Sequence, residues 1–290
     1  MKVHPVNAIA REESAPRRRP LGAYLRDAGK LSADDVVRVA ACQKERGLRF
    51  GETAVALKLV AEGDVRAALA AQFDYPFDLE GVDRELVVAA DPFGAQAELF
   101  RELRSRLLLE SLPESAPSSL AVLSAHPGEG RTYIAANLAA AFSQLGHRTL
   151  LVDADLRGGR LERLLGTDTA TGLSHVLAGF ADATDALQRV TGLANLWFMP
   201  AGALPPNPVE LLQRPAFETL LAAMTEKFDR IVLDTSAASR GPDCRVVAAR
   251  CSASLVVARR NEARLDELGR LVDALERGPA RIAGVVMNER

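Results

Sequence analysis

The stretch from Ser119 to Asn137, SLAVLSAHPGEGRTYIAAN, leaves a chain few folds to choose from. Leu120 to Leu123 form a short, continuous apolar run of the kind found in a strand buried on both faces. Gly128 and Gly130 come next, where a backbone can turn sharply and point its N–H groups at an anion. A helical pattern starts directly after them, so the positive end of a helix dipole adds to that field. Thr132 stands where such a loop offers a hydroxyl to Mg²⁺.

The match to GxxxxGK[ST] has two departures: Ala125 replaces the first glycine and Arg131 the lysine. An arginine stays charged and can grip two phosphate oxygens, but as a planar fork rather than a point charge. The loop alone is also compatible with a glycine-rich turn between strand and helix, so acids further along the chain must decide between the two. Arg148 to Asp155, RTLLVDAD, is a second buried strand that delivers Asp153 and Asp155 at its C-terminal end, with Arg157 two residues on. That edge of a parallel sheet is where ligands bind. Two carboxylates beside a phosphate loop repel each other unless a cation joins them, which points to hydrated Mg²⁺. Either one could accept a hydroxyl proton. Helix capping by a single aspartate is the plainer explanation and fits DxDxR less well as a set.

Further strands are expected at Leu196 to Pro200, Arg230 to Asp234, Leu255 to Ala258 and Ile282 to Met287, with an amphipathic helix from Ala263 to Arg277. RIVLD has the form of a strand that ends on a metal-binding carboxylate, Asp234. Asn207 before Pro208 suits a helix start. Alternating strands and helices predict an α/β fold: a doubly wound, mostly parallel sheet of the P-loop NTPase type with right-handed crossovers.

Upstream, Leu21 to Phe73 repeats itself: Gly22 to Gly51 and Gln43 to Gln72 both span 29 residues. Ser32 before Ala33-Asp34-Asp35 has the pattern of a helix N-cap with acids in the first turn. Two short helices per copy predict a small all-α repeat domain at 19–78. Residues 1–18, with the basic cluster Arg17 to Arg19, read as a disordered lead-in, and 79–95, broken by Pro92 and Gly94, as a linker. The nucleotide domain then covers 96–290. Gln96 to Glu110 is expected to be an amphipathic helix with Leu99, Leu103 and Leu107 on one face, and Glu98, Arg101 and Arg104 recurring along the next.

A net charge of −2 gives no reason to expect nucleic-acid or bulk membrane binding. Three cysteines without metal-ligand spacing fit reduced thiols in helical surroundings. With no apolar run of about 20 residues and no signal-peptide pattern, the expectation is a cytoplasmic protein. Membrane contact would come only through a partner.

Taken together, ExxRxxR, AHPGEGRT, LLVDADLR, IVLD and PAGALPPNPVELL resemble the bacterial tyrosine kinases of capsule and exopolysaccharide assembly. With the added repeat, the chain looks like the EpsG-type chain-length-determinant kinases. The resemblance covers Gln96 to Arg290 and implies several roles. Gly128, Glu129, Gly130, Arg131, Thr132 and Arg157 would bind ATP; Thr132, Asp153 and Asp234 would hold Mg²⁺. Asp153, Asp155 and Arg131 would be catalytic, and Glu98, Arg101 and Arg104 would join subunits of a homo-oligomer. It further implies a membrane-embedded chain-length determinant as partner and recruitment to the inner membrane. An assembly switch that binds ATP without transferring phosphate is the alternative. Two departures bear on transfer: Asp234-Thr235 continues with Ser236-Ala237 where relatives have two prolines, and the tyrosine-rich tail of relatives has no counterpart. The tyrosines are Tyr24, Tyr75 and Tyr133, leaving a partner, Tyr24 or Tyr75 as acceptors. The partitioning ATPases fit less well, because His126 stands where they carry an early lysine. The repeat resembles the N-terminal domain of type II secretion and pilus-assembly ATPases, some of which bind cyclic di-GMP through RLGxxL…Q. Arg49, Gly51 and Gln72 keep that pattern in the second copy, while the first has Pro20 in place of the arginine.

Overall fold

The computed structural model describes residues 19–72, 75, 83–112, 118–167 and 170–289, in two compact units that divide after residue 74. The lead-in expected at 1–18 lies outside the described residues, as do 79–82 of the expected linker.

The first unit contains α1 (Leu21–Asp27), α2 (Ala33–Arg46), α3 (Phe50–Ala56) and α4 (Glu62–Gln72). The Ser32 hydroxyl accepts the Asp35 N–H at 3.1 Å and the Asp35 carboxylate accepts the Ser32 N–H at 3.0 Å, a reciprocal cap at the start of α2. The 29-residue repeat is visible as packing. A Cβ on Gly22 would sit 2.9 Å from Phe50 and 3.2 Å from Val36, and one on Gly51 would sit 2.6 Å from Val65 and 3.5 Å from Leu21. Each copy's glycine thus receives the residue that opens the other copy, around a core that includes Leu25, Val39, Ala54 and Ala68. Close helix approach explains both glycines. Gln72 donates to the Arg19 carbonyl at 2.8 Å, which ties the end of α4 back to the start of the unit.

The second unit opens with α5 (Val87–Ala90) and α6 (Ala95–Glu110). Next come β1 (Ser118–Ser124), α7 (Arg131–Gln144), β2 (Thr149–Ala154), α8 (Leu161–Leu165), α9 (Leu173–Ala178), β3 (Gln188–Arg189) and β4 (Leu196–Met199). The chain closes with α10 (Pro208–Gln213), α11 (Pro215–Thr225), β5 (Arg230–Thr235), α12 (Asp243–Ala248), β6 (Ala253–Arg259), α13 (Leu265–Glu276) and β7 (Ile282–Asn288). The strand order is β3-β4-β2-β5-β1-β6-β7, parallel throughout except for the short β3 against β4. This is the expected doubly wound sheet. Side chains alternate between its faces: Leu120, Val122 and Val232 enter the core under α7, and Ala121, Leu123, Ile231 and Leu233 the core on the opposite face.

Several features differ from the sequence reading. Residues 83–95, read as linker, are built into this unit: Leu86 to Ala89 are buried, and the fully buried Asn137 of α7 accepts the Val88 N–H at 3.1 Å and donates to the Glu85 carbonyl at 2.8 Å. On α6 the buried face runs through Ala97, Phe100 and Leu107, while Leu99 is 64% exposed. The expected stripe is one residue out of phase at its start, because Phe100 rather than Leu99 meets Tyr133, with ring centres 5.4 Å apart. The strand β7 is an edge strand, with Val285 and Met287 about half exposed, not a buried one. Cys42 and Cys244 are helical, but Cys251 lies in the turn before β6; all three are free thiols. Pro208 does open α10, but Asn207 makes no side-chain cap.

Candidate nucleotide site

The phosphate loop joins the C-terminal end of β1 to α7, which is buried along nearly its whole length. Its alanines at 135, 136 and 139–141 let the helix lie close on the sheet, and so they fix where its N-terminus points. Gly128 has φ +85° and Gly130 φ +100°, the left-handed region that an L side chain rarely adopts. Gly130 also faces Asn288, whose amide would collide with any Cβ placed there. That amide donates to the Glu129 carbonyl at 3.0 Å and braces the loop from the end of β7.

The acids converge on this loop because three parallel strands end beside it. Asp153 on β2 and Asp234 on β5 are register partners. The Thr132 hydroxyl donates to the Asp234 carboxylate at 2.6 Å, and Asp155 lies 3.8 Å from the Arg131 guanidinium. The Asp153 carboxylate in turn accepts the Asp155 N–H at 3.0 Å. Burial, and then the charge of Asp234, push the Asp153 carboxyl well above the usual range. Burial pushes Asp234 up to about 6, against the pull of Arg131 and of the Thr132 hydrogen bond. Two neighbouring carboxylates that resist ionisation invite a cation.

The donor set fits Mg²⁺. Among the described residues, one buried carboxylate oxygen of Asp234 has no hydrogen-bond partner, and neither does the Ser236 hydroxyl nearby in sequence. Among the described residues no group of three His, Cys, Asp or Glu side chains forms a complete metal cage. Mg²⁺ takes one or two carboxylates, a hydroxyl, water and the phosphates themselves as its ligands.

Several residues are placed differently from their expected roles. Arg131 is 7% exposed and donates to the Thr235 carbonyl at 2.8 Å, to the His126 carbonyl at 3.1 Å and to the Ser124 hydroxyl. It pins the loop to β5. The Glu129 carboxylate turns into the loop and accepts the His126 N–H at 2.7 Å, which leaves only its backbone for a ligand. Arg157 donates to both oxygens of the buried Asp243, at 3.1 and 3.2 Å, while its N–H reaches Asp155 at 3.2 Å. Arg101 bonds Glu98 at 2.9 Å and the Pro92 carbonyl, and Arg104 donates to the Ala141 carbonyl at 2.8 Å, so both are engaged within the chain.

Sequence reasoning missed Asn288, Asp243 and the contact of His126 with Glu267 of α13. Asn288 alone had a signal: a polar residue that ends an apolar strand, at the sheet edge where ligands bind.

Such a loop, with three strand-end acids and a threonine facing them, defines a P-loop nucleotide-binding domain. Residues 120–289 match the family described as the CobQ/CobB/MinD/ParA nucleotide binding domain. The tyrosine-protein kinase wzc of Salmonella typhimurium is 31% identical over 214 residues, which are 72% of this chain and 30% of that protein. The tyrosine-protein kinase CpsD of Streptococcus pneumoniae is 31% identical over 171 residues, 59% of this chain and 75% of CpsD. The kinase domain of Escherichia coli tyrosine kinase ETK superposes with a TM-score of 0.67 at 30% identity, over 70% of this chain and 79% of that one. The chain therefore belongs to the bacterial tyrosine-protein kinases of the CobQ/CobB/MinD/ParA nucleotide-binding family. It spans only 30% of the length of the Salmonella relative.

Proposed function

We propose that the chain is an ATP-dependent protein-tyrosine kinase that works with a membrane-embedded chain-length determinant to govern exopolysaccharide length. The observation that carries this reading is the Thr132–Asp234 hydrogen bond at 2.6 Å, with Asp153 as register partner of Asp234, at the mouth of the phosphate loop. The loop N–H groups and the N-terminus of α7 hold the β- and γ-phosphates. Thr132, Asp153 and Asp234 would hold Mg²⁺, which supplies neutralisation of the charge that develops on the phosphate oxygens. Asp155, its backbone fixed by Asp153, accepts the phenolic proton of the incoming tyrosine. Arg131 braces the loop through the His126 carbonyl, ties it to the Thr235 carbonyl of β5 and lies beside Asp155.

Glu98 pairs with Arg101 yet is largely exposed, so it can meet a neighbouring subunit, and α6 supports the homo-oligomer. No helix among the described residues is long and apolar enough to cross a membrane. The proposed place of the chain is the cytoplasm, with recruitment to the inner membrane by its partner. The helical unit spends both repeat glycines on packing. That favours docking on the assembly machinery over binding of cyclic di-GMP.

A second reading is an ATP-driven assembly switch without transfer, favoured by the commitment of Arg131 to protein acceptors. Labelled ATP followed by phosphotyrosine detection, on the chain and on a co-expressed membrane partner, separates the two. Transfer that disappears in Asp155→Asn supports the kinase. A signal that survives this substitution rejects it, and ATP binding without any transfer leaves the switch.

A further inference from the structure

The three tyrosines sit in different settings. Tyr133 is 7% exposed in the first turn of α7, and Tyr24 packs on the core of the helical unit. Tyr75 is partly exposed, meets Phe93 edge-on with ring centres 5.7 Å apart, and lies under the Arg101 guanidinium, 5.4 Å from the ring centre. Arg104, three residues along α6, is within electrostatic reach of the same phenol.

Among the described residues neither guanidinium is paired with a buried anion. Arg101 has only the carboxylate of Glu98, which is largely in water. Arg104 donates to a backbone carbonyl, and its buried Nε has no acceptor among the described residues. Burial, and then the charge of Arg101, make the Arg104 cation less favourable than an ordinary one. A phosphorylated tyrosine brings about two negative charges and three acceptor oxygens. An arginine fork can bind two of those oxygens at once, while a second arginine stacks on the ring.

We propose that Tyr75 is a phosphorylation site of this chain, with Phe93, Arg101 and Arg104 forming the seat that holds the phosphorylated ring. The proposal rests on the kinase reading and names its target. The Tyr75 oxygen of one copy attacks the γ-phosphorus of ATP bound by a second copy. The new O–P bond forms as the bond from γ-phosphorus to the bridging oxygen breaks. That electron pair leaves on ADP, and the phenolic proton passes to Asp155 of the copy that holds the nucleotide. Arg101 then exchanges Glu98 for the phosphate.

Two measurements test this. The full chain is incubated with ATP and Mg²⁺ beside a Glu-Tyr copolymer and mapped by peptide mass spectrometry. Phosphate is expected on Tyr75, and Tyr75→Phe should remove it while copolymer labelling continues. Separately, phosphotyrosine is installed at position 75 by codon suppression in an Asp155→Asn chain, which needs no activity. Its ³¹P titration midpoint should lie about half a pH unit below that of the same chain with Arg101→Gln. Copolymer labelling without phosphate on Tyr75, or an installed phosphate indifferent to Arg101→Gln, overturns the proposal and leaves the kinase reading intact. Phosphate on neither acceptor defeats the kinase reading and this target together, a pattern that failure at Tyr75 alone cannot produce.

Discussion

Asp234→Asn isolates the cost of holding a buried carboxylate ready for a cation. The asparagine oxygen can still accept the Thr132 hydroxyl, which bonds Asp234 at 2.6 Å, so the substitution removes the charge and little else. Burial raises this carboxyl from 3.8 to about 6. The folded chain therefore binds the proton more tightly than the unfolded chain, and stability falls as pH rises from about 4 through about 6. Above that range the penalty is complete. The shift of about 2.2 pH units, 6 less 3.8, corresponds to about 3 kcal/mol at 1.36 kcal/mol per unit. Asp153 faces Asp234 across the strand pair and titrates with it, so about 3 kcal/mol is the ceiling for this substitution. The assay is urea unfolding in EDTA without nucleotide, followed through Trp197, the only tryptophan, on β4 beside β2. The variant should exceed the native chain by up to about 1 kcal/mol at pH 4.5 and up to about 3 kcal/mol at pH 7.5, with the larger gap at the higher pH. A difference that stays constant across this range, or a variant that is less stable at pH 7.5, refutes the reasoning.

Gly130→Ala places a Cβ against the Asn288 amide at a residue with φ +100°. Left-handed strain of about 1–2 kcal/mol adds to that collision, and calorimetric titration should show at least about tenfold weaker ATP binding. Arg157→Ala leaves the Asp243 carboxylate buried without its cation, and unfolding monitored at Trp197 should show a loss of roughly 1–3 kcal/mol. Adding Asp243→Asn should restore part of that loss.

The nucleotide domain was legible wherever a candidate site residue lies at the end of a buried strand. Leu120 to Leu123, LLVD and IVLD are continuous apolar runs, and in a parallel sheet such runs fix both the layer and the edge that carries the acids. Thr132, Asp153, Asp155 and Asp234 could be named because each lies a set distance from such a run. The partners that set their behaviour could not. Asn288 meets Glu129 across 159 residues, Glu267 meets His126 across 141, and Asp243 meets Arg157 across 86, with no local pattern to join them. The commitment of Arg131 to Thr235 and His126 was hidden for the same reason, since a charged residue in a phosphate loop reads equally well as a ligand or as a brace. Pro92 and Gly94 misled in a different way: they end helices locally, yet the hydrogen bonds that Asn137 makes to Glu85 and Val88 draw that segment into the core. On α6, leucines at 99, 103 and 107 suggested a stripe that tertiary packing moved onto Ala97 and Phe100.

The claim that Thr132 and the strand-end acids form one cation-dependent triphosphate site is tested most directly by titrating ATP into the full chain with Mg²⁺ and with EDTA, for the native protein and for Asp234→Asn. Binding that tightens at least about tenfold with Mg²⁺ in the native chain, and loses most of that gain in the variant, is the predicted result. Equal affinity with and without Mg²⁺, or a Mg²⁺ effect that Asp234→Asn leaves unchanged, would contradict it.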